Sequence, residues 1–320
     1  MTTCVVTGAA GFLGYFLAKL LSEQKGYEVI CVDNFVRGEH DPAYASLLQK
    51  SNVRGFSVDL SDPGAVRSLP LQVDYVYHLA ALNGTQNFYE RPFTVLKHCT
   101  LPTFHILEHY QKARLQRFAY AGSSESYAST VTRFNWAVPT DESVPLSIDD
   151  LNNPRWSYGA SKLHGEVLTI QACREFGFPY TVIRYHNAYG PRMGNKHVIP
   201  DFLERIKASG KAELFGYEDT RSFIYAEDAV RATQLACEAD GGKNQIVHVG
   251  GEDEITMHDL GKKMLELMGR DLVIECHPSP QGSVKRRCPS IKKLQSITGY
   301  APEWPLAKGL QETIKFYLAA

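Results

Sequence analysis

The chemistry this sequence offers centres on two side chains. Tyr158 and Lys162 stand in the run YGASK, and on a helix a spacing of four residues puts both on one face. A phenol has a pKa of about 10. A neighbouring ammonium stabilises the phenolate, so such a tyrosine can take a proton from an alcohol while hydride leaves the same carbon. The same pair on a surface helix would do nothing, so the decision rests on what accompanies it. Ahead of it lies AGSSESY, Ala121 to Tyr127, after an apolar run. In an open parallel sheet the C-terminal strand edge is where ligands bind. Ser123 can hydrogen-bond a reacting hydroxyl. Glu125 is a candidate acid or base, or else a solvated loop carboxylate or helix cap.

Near the N-terminus, Gly8, Gly11 and Gly14 form G-x-x-G-x-x-G directly after the apolar run Cys4 to Thr7, and they open a helical pattern from Phe12 to Ser22. Glycine lets the backbone turn tightly and approach a pyrophosphate, whose charge then sits on the helix N-terminus. A second apolar run, Glu28 to Val32, ends at Asp33. A carboxylate there accepts from the adenosine ribose hydroxyls and repels a 2′-phosphate, which favours NAD over NADP. Arg37, four residues on, is a cation able to meet a phosphate. Asp59, followed by Leu60, either holds the adenine amino group or caps a strand end. The run His78, Leu79, Ala80, Ala81 offers small residues where a backbone must lie against a cofactor. Phe12, Leu13 and Asn34 complete the expected cofactor contacts.

These groups need a frame. Strand, glycine turn, helix and strand make a βαβ unit. Further strand patterns end at Asp59, His78, Ala121 and Arg184, separated by helical stretches such as Leu101 to Gln111 and Ser161 to Phe176. That alternation predicts an α/β fold, a Rossmann-type doubly wound parallel sheet, over residues 1–190. The alternation then weakens. A helix from Ile199 to Ser209, apolar runs at Glu213–Phe215 and Ile246–Val249, helices at Met257–Met268 and Leu306–Tyr317, and a Pro/Gly/basic loop from His277 to Ser290 predict a smaller C-terminal α/β cap over residues 191–320. Some of these segments are free to return to the sheet. At 320 residues the chain exceeds one hydrophobic core, and 44% hydrophobic with 22% charged residues suits a soluble globular protein. Lys plus Arg is 34 against 35 for Asp plus Glu. This balance excludes a broad polyanion-binding face, hence a nucleic-acid partner, and leaves room for local basic pockets. Seven scattered cysteines without a CxxC pair argue against disulfides or a metal site and fit a reducing compartment. No apolar run reaches membrane-span length, and the N-terminus lacks a charged leader, so a cytoplasmic protein without a membrane partner is expected.

Taken together, TGAAGFLG, VDNF, HLAA, the Ser loop, YGASK, RYHNAYGPRMG, TRSFIYAEDAV and RRCPS with the later GYAPEWPLAKGL resemble the extended short-chain dehydrogenase/reductase group that modifies nucleotide sugars. The resemblance covers nearly the whole chain. It implies a catalytic trio of Ser123, Tyr158 and Lys162, with NAD on Gly8, Gly11, Gly14 and Asp33. It further implies contacts from Asn187, Arg221 and Arg287 to the diphosphate of a nucleoside-diphosphate sugar. Ser124 would face the sugar, and His197 and Val198 would line the nucleotide pocket. Arg286 is an equally good phosphate ligand by sequence, and Ser290 stands where many relatives carry Asp. Two diphosphates in a chain of near-zero net charge require arginine locally, and guanidinium meets phosphate in bidentate fashion. The family commonly forms a homodimer through a four-helix bundle, here from Leu101–Gln111 and Ser161–Phe176.

In this group Tyr158 would deprotonate a ring hydroxyl, usually at C4, and hydride would pass to NAD. A 4-epimerase then rotates the 4-keto sugar and returns the hydride. A 4,6-dehydratase needs a base for C5 and an acid for the C6 hydroxyl, and a decarboxylase starts from a C6 carboxylate. Simple 4-epimerases usually have a small residue in place of Glu125. Thymidine-nucleotide dehydratases carry Asp-Glu where this chain has Ser124 and Glu125. The Ser-Glu pair resembles UDP-glucuronate decarboxylases and GDP-mannose 4,6-dehydratases, whereas GPRMGNKHVIPDF resembles UDP-sugar epimerases. The reading is an epimerase/dehydratase beginning with C4 oxidation, epimerase first. Dehydratase, decarboxylase or C4-dehydrogenase through Glu125 are the alternatives. A non-catalytic NAD-binding regulator on the same fold would have no need of the intact trio, and a reductase of free aldehydes or ketones would have no use for Arg221 and Arg287.

Overall fold

The computed structural model describes residues 1–195, 197–279 and 283–319. Six short apolar segments form strands β1 (Thr2–Thr7), β2 (Tyr27–Asp33), β3 (Val53–Ser57), β4 (Tyr75–His78), β5 (Arg117–Ser123) and β6 (Tyr180–Tyr185). With a seventh strand, Gln245–Val249, they make one parallel sheet. Its order is Gln245–Val249, β6, β5, β4, β1, β2, β3. The crossovers therefore run one way from β1 to β3 and the other way from β1 to β6. The crevice between β1 and β4, where direction switches, is the place for a ligand.

Neighbouring residues of a strand point to opposite faces, and both faces here are covered. Val6 packs with Leu17 and Leu21 of the helix Phe12–Ser22 and with Val230 of the helix Ala226–Glu238. Val5 packs on the other side with Ile106 of the helix Pro92–His109 and Cys173 of the helix Trp156–Phe176. Burial on both faces explains why these strands read as continuous apolar runs.

The chain after Gly190 builds two layers. Ala226–Glu238 and Gln245–Val249 return to the main sheet. The helices Val198–Ser209, Met257–Leu267 and Leu306–Ala319 form the cap core through Phe202, Leu203, Leu260, Met264 and Leu310. In the cap, Ala212–Phe215 pairs with Ile274–His277, and Thr220–Ser222 lies between Glu254–Thr256 and Arg286–Arg287. Residues 280–282 of the predicted loop His277–Ser290 lie outside the described residues.

Two helices start earlier than the sequence pattern implied. Pro92–His109 begins nine residues before Leu101, because Phe93 and Leu96 face outward (77% and 39% exposed) and break the inward apolar period. Trp156–Phe176 begins five residues before Ser161 and so carries Tyr158 in its first turn. β3 ends at Ser57, two residues short of Asp59. No described helix is long and apolar enough to cross a membrane.

The tightest crossing is at the glycine loop. A Cβ on Gly14 would lie 1.9 Å from the Gly8 carbonyl oxygen, and backbone cannot step aside as a side chain can. Gly14→Ala is expected to destabilise the protein by about 1–3 kcal/mol, read as a fall in the urea midpoint. An unchanged midpoint would contradict this packing.

Candidate active site

A cleft of about 1220 Å³ opens at the C-terminal edge of the sheet. That exceeds the roughly 300–1,000 Å³ typical of a single small-molecule site. Gly8, Gly11, Phe12, Leu13 and Gly14 line one wall with Asp33, Asn34, Asp59, Leu60, Leu79, Ala80 and Ala81. Ser123, Ser124, Glu125, Tyr158 and Lys162 line the middle, and Asn187, His197, Val198, Arg221 and Arg287 belong to the other wall. The sequence candidates thus converge, with one exception. Arg286 does not line this cleft: its guanidinium is held outside by Glu254, Nη2 to Oε1 at 2.6 Å. Strand alternation turns its neighbour Arg287 the other way.

At the dinucleotide end, Gly8 adopts φ +72° and donates its N–H to Val32 O at 2.8 Å. Any Cβ there would stand 3.0 Å from Ala80 N. Thr7 Oγ1 accepts the Leu79 and Ala80 N–H groups, both at 3.1 Å, which fixes that approach. The helix Phe12–Ser22 starts behind Gly11 with no side-chain cap, so its first N–H groups are left for a ligand. This bare cradle fits a diphosphate. Asp33 is buried; Oδ2 accepts from Ala10 N at 2.9 Å and Oδ1 from Phe35 N at 2.8 Å. Each carboxylate oxygen keeps acceptor capacity for a hydroxyl. Asp59 Oδ1 accepts from Ser61 N at 2.9 Å.

Tyr158 is 7% exposed and lies under a stacked Phe88 ring, 4.9 Å away. Burial pushes its phenol well up, while Arg37 and the Ser123 hydroxyl pull it back. One turn on, Lys162 Nζ donates to Ala121 O at 2.7 Å and stands 5.6 Å from the Tyr158 ring centre. Burial lowers the Lys162 pKa. Another turn on is Glu166, a residue the sequence reading passed over. Arg184 of β6 holds it with Nε at 3.1 Å from Oε1 and Nη2 at 2.9 Å from Oε2, and Ser126 Oγ adds 3.3 Å to Oε1. The signal was present as a carboxylate in register at 158, 162 and 166, but its partner is distant in sequence.

At the other end, Glu125 sits in an arginine clamp. Oε1 is 2.8 Å from Arg287 Nη2, and Oε2 is 3.5 Å from Arg155 Nη2. Burial would raise its pKa, but Arg287 and Arg155 outweigh burial and hold the carboxyl below its usual range. Arg155, immediately ahead of the YGASK helix, is a further residue the sequence reading missed. Arg221 donates to Thr220 O at 2.7 Å, and burial together with Arg287 lowers its pKa to about 10. Asn187 Nδ2 donates to Ser222 O at 2.9 Å. His197 precedes the helix Val198–Ser209, and burial first, then Arg37, lowers it to about 4. It is therefore neutral near pH 7.

The family described as NAD dependent epimerase/dehydratase matches residues 4–250. Among curated proteins, the chain is 28% identical to UDP-N-acetyl-alpha-D-glucosaminuronate decarboxylase of Bacillus cytotoxicus, over 98% of this chain and 97% of that one. It is 29% identical to a putative UDP-glucose 4-epimerase of Methanocaldococcus jannaschii, over 98% and 97%. Among solved structures, UDP-glucose 4-epimerase with UDP-glucose from Thermotoga maritima is 28% identical, with a TM-score of 0.86 over 99% of both chains.

The clamp on Glu125 can be tested by itself. Arg287→Met removes the strongest cation, so the Glu125 pKa should rise above that of the wild type, read by carboxyl-carbon NMR titration. The sign for stability follows: the depressed pKa contributes stability above the unfolded value, lost as pH falls through the folded one. The variant should show less of that acid loss. An unmoved Glu125 titration would contradict the clamp.

Proposed function

The chain belongs to the NAD dependent epimerase/dehydratase family, and on that premise we propose that it oxidises a nucleoside-diphosphate sugar at ring C4 and acts first as a 4-epimerase. The observation that carries this reading is Tyr158, buried between Ser123 and Lys162 in one cleft that has a bare diphosphate cradle on one wall and arginines on the other. NAD, when bound, supplies the acceptor and later the donor of hydride. The segments before Gly190 would hold the dinucleotide, through Gly8, Gly11, Gly14 and Asp33, and the cap would hold the sugar nucleotide. Tyr158 removes the C4 hydroxyl proton. A phenol raised by burial gives up its own proton only beside positive charge, and Lys162 with Arg37 supplies it. Ser123 orients the hydroxyl. Arg221 and Arg287 neutralise the substrate diphosphate in a bidentate manner.

Epimerisation needs no side chain beyond this trio and room to turn the keto sugar. A dehydratase needs a base at C5. Glu125, held by two guanidinium groups below its usual pKa, is poorly suited to that task, which counts against dehydration. The same cluster supports one second reading. Arg155, which the diphosphate assignment leaves free, could receive a C6 carboxylate, and a 4-keto group makes that carboxylate β to a carbonyl and prone to loss as carbon dioxide. The Bacillus cytotoxicus relative bears a decarboxylase name.

Outward apolar groups mark two neighbouring helices. Phe93, Leu96 and Phe104 lie on Pro92–His109 and Val167 lies on Trp156–Phe176, each at least 39% exposed. They support a homodimer through a four-helix bundle.

Tyr158→Phe should cut turnover by about 10²–10⁴-fold while purified enzyme keeps its bound NAD; retained turnover would remove Tyr158 from the chemistry. Product NMR over UDP-, GDP-, CDP- and dTDP-sugars should show the C4 epimer. A pentose product with carbon dioxide selects the second reading, and a 6-deoxy-4-keto product contradicts both. Phe104→Glu should shift the light-scattering mass from dimer to monomer. A wild type already monomeric would contradict the bundle.

A further inference from the structure

We propose that Tyr127 and His186 are positioning residues for the sugar-nucleotide side of the cleft: their hydrogen bond ties together the segments that carry Ser124, Glu125, Asn187 and Arg287. The proposal rests on the functional reading above. Tyr127 closes the short turn Ser124–Tyr127, directly behind Ser124 and Glu125. Its Oη is hydrogen-bonded to His186 Nε2 at 2.7 Å, and the two residues are only 2% and 1% exposed. Among the described residues this is the one side-chain hydrogen bond of His186, whose Nδ1 is buried without a partner. His186 leads directly into Asn187, whose backbone sits at φ +36°. That conformation is costly for a residue other than glycine and persists only where its surroundings fix it. Neither Tyr127 nor His186 lines the main cleft, so both act through their neighbours.

The third segment joins through His248, which is fully buried. Its ring lies 4.8 Å from that of His186 and 5.5 Å from that of Tyr127. His248 Nδ1 donates to Thr140 O at 3.1 Å, because a carbonyl oxygen only accepts. The same carbonyl accepts the Ser290 N–H at 2.7 Å, and the Thr140 N–H donates to Cys288 O at 2.9 Å. These bonds anchor the chain immediately after Arg287. Ser124, Tyr127, Thr140, His186, Arg287 and Cys288 accordingly meet around one small cavity. Both imidazoles are neutral. Burial first, then His248, Arg287 and Arg184, hold His186 far below its ordinary pKa, and burial first, then Arg184, takes His248 to about 3. A neutral ring can pair with a phenol and adds no charge beside Arg287.

Calorimetric titration reads this tie. The probes are NAD and then, on NAD-loaded enzyme, whichever of UDP, GDP, CDP and dTDP the wild type binds most tightly. Tyr127→Phe deletes one oxygen and keeps the ring. It should weaken the nucleoside diphosphate about three- to tenfold and leave NAD affinity unchanged. His186→Leu should do the same, and the double variant should lose no more than the weaker of the two single variants, as for two halves of one interaction. Nucleoside-diphosphate affinity equal to wild type in either single variant would overturn the proposal, whatever the thermal midpoint does. Losses that add in the double variant, or that extend equally to NAD, would also overturn it. Each of these results leaves the functional reading standing. A wild type that binds none of the four nucleoside diphosphates would overturn that reading, and the proposal with it.

Discussion

Ions buried beneath the active site constrain what stands above them. Glu166 and Arg184 are each about 2–3% exposed in their side chains and bind each other through three hydrogen bonds. Removing one partner of such a pair costs about 3–5 kcal/mol, because the other charge is left buried alone. Glu166, Lys162 and Tyr158 follow one another at single-turn spacing along the helix Trp156–Phe176. With Glu166 tied to β6 and Lys162 tied to Ala121 at the end of β5, the helix cannot rotate, and the Tyr158 hydroxyl is presented in one place. Gly165 allows the close seat: a Cβ there would meet the Tyr120 hydroxyl at 1.9 Å. A reaction that exchanges a proton and a hydride at one carbon depends on that rigidity.

Under the proposed reading, the two cleft walls bind anions in different ways with a near-neutral chain. On the dinucleotide side the charge is met by backbone N–H groups, which need glycine rather than arginine. On the cap side, under the proposed reading, it would be met by guanidinium groups, which a carboxylate or carbonyl holds in place. Glu125 is the internal anion of that side. Its depressed pKa reflects its role as a counter-ion more than readiness to accept a proton, and this separates its chemistry from that of Tyr158, whose phenol burial drives up.

Much of the architecture was legible because its determinants are local. The glycine loop, Asp33 and the Tyr158–Lys162 pair each need only neighbouring residues to be read. What stayed hidden depends on distant partners or on side-chain direction. Glu166 and Arg184, like Glu125 with Arg155 and Arg287, are ordinary charged residues until the fold joins them. Arg286 and Arg287 are equivalent in sequence, and only strand alternation decides which one faces the cleft. Phe93 and Leu96 concealed the start of their helix because their apolar surface faces outward. The later segments divided between sheet and cap because Gln245–Val249 looks like any short buried strand until its pairing with β6 is seen.

The central claim is that chemistry begins by moving hydride from sugar C4 while Tyr158 takes the hydroxyl proton. The most direct measurement uses a nucleoside-diphosphate sugar deuterated at C4, a single turnover, and mass spectrometry of the dinucleotide released from the denatured enzyme. When the turnover is quenched at successive times, the account predicts deuterium in the wild-type dinucleotide while the 4-keto intermediate is present and back on C4 of the epimer at completion, with none in the dinucleotide of Tyr158→Phe. Formation of the C4 epimer with no deuterium in the dinucleotide at any quench time, or with the deuterium lost to solvent, would contradict it.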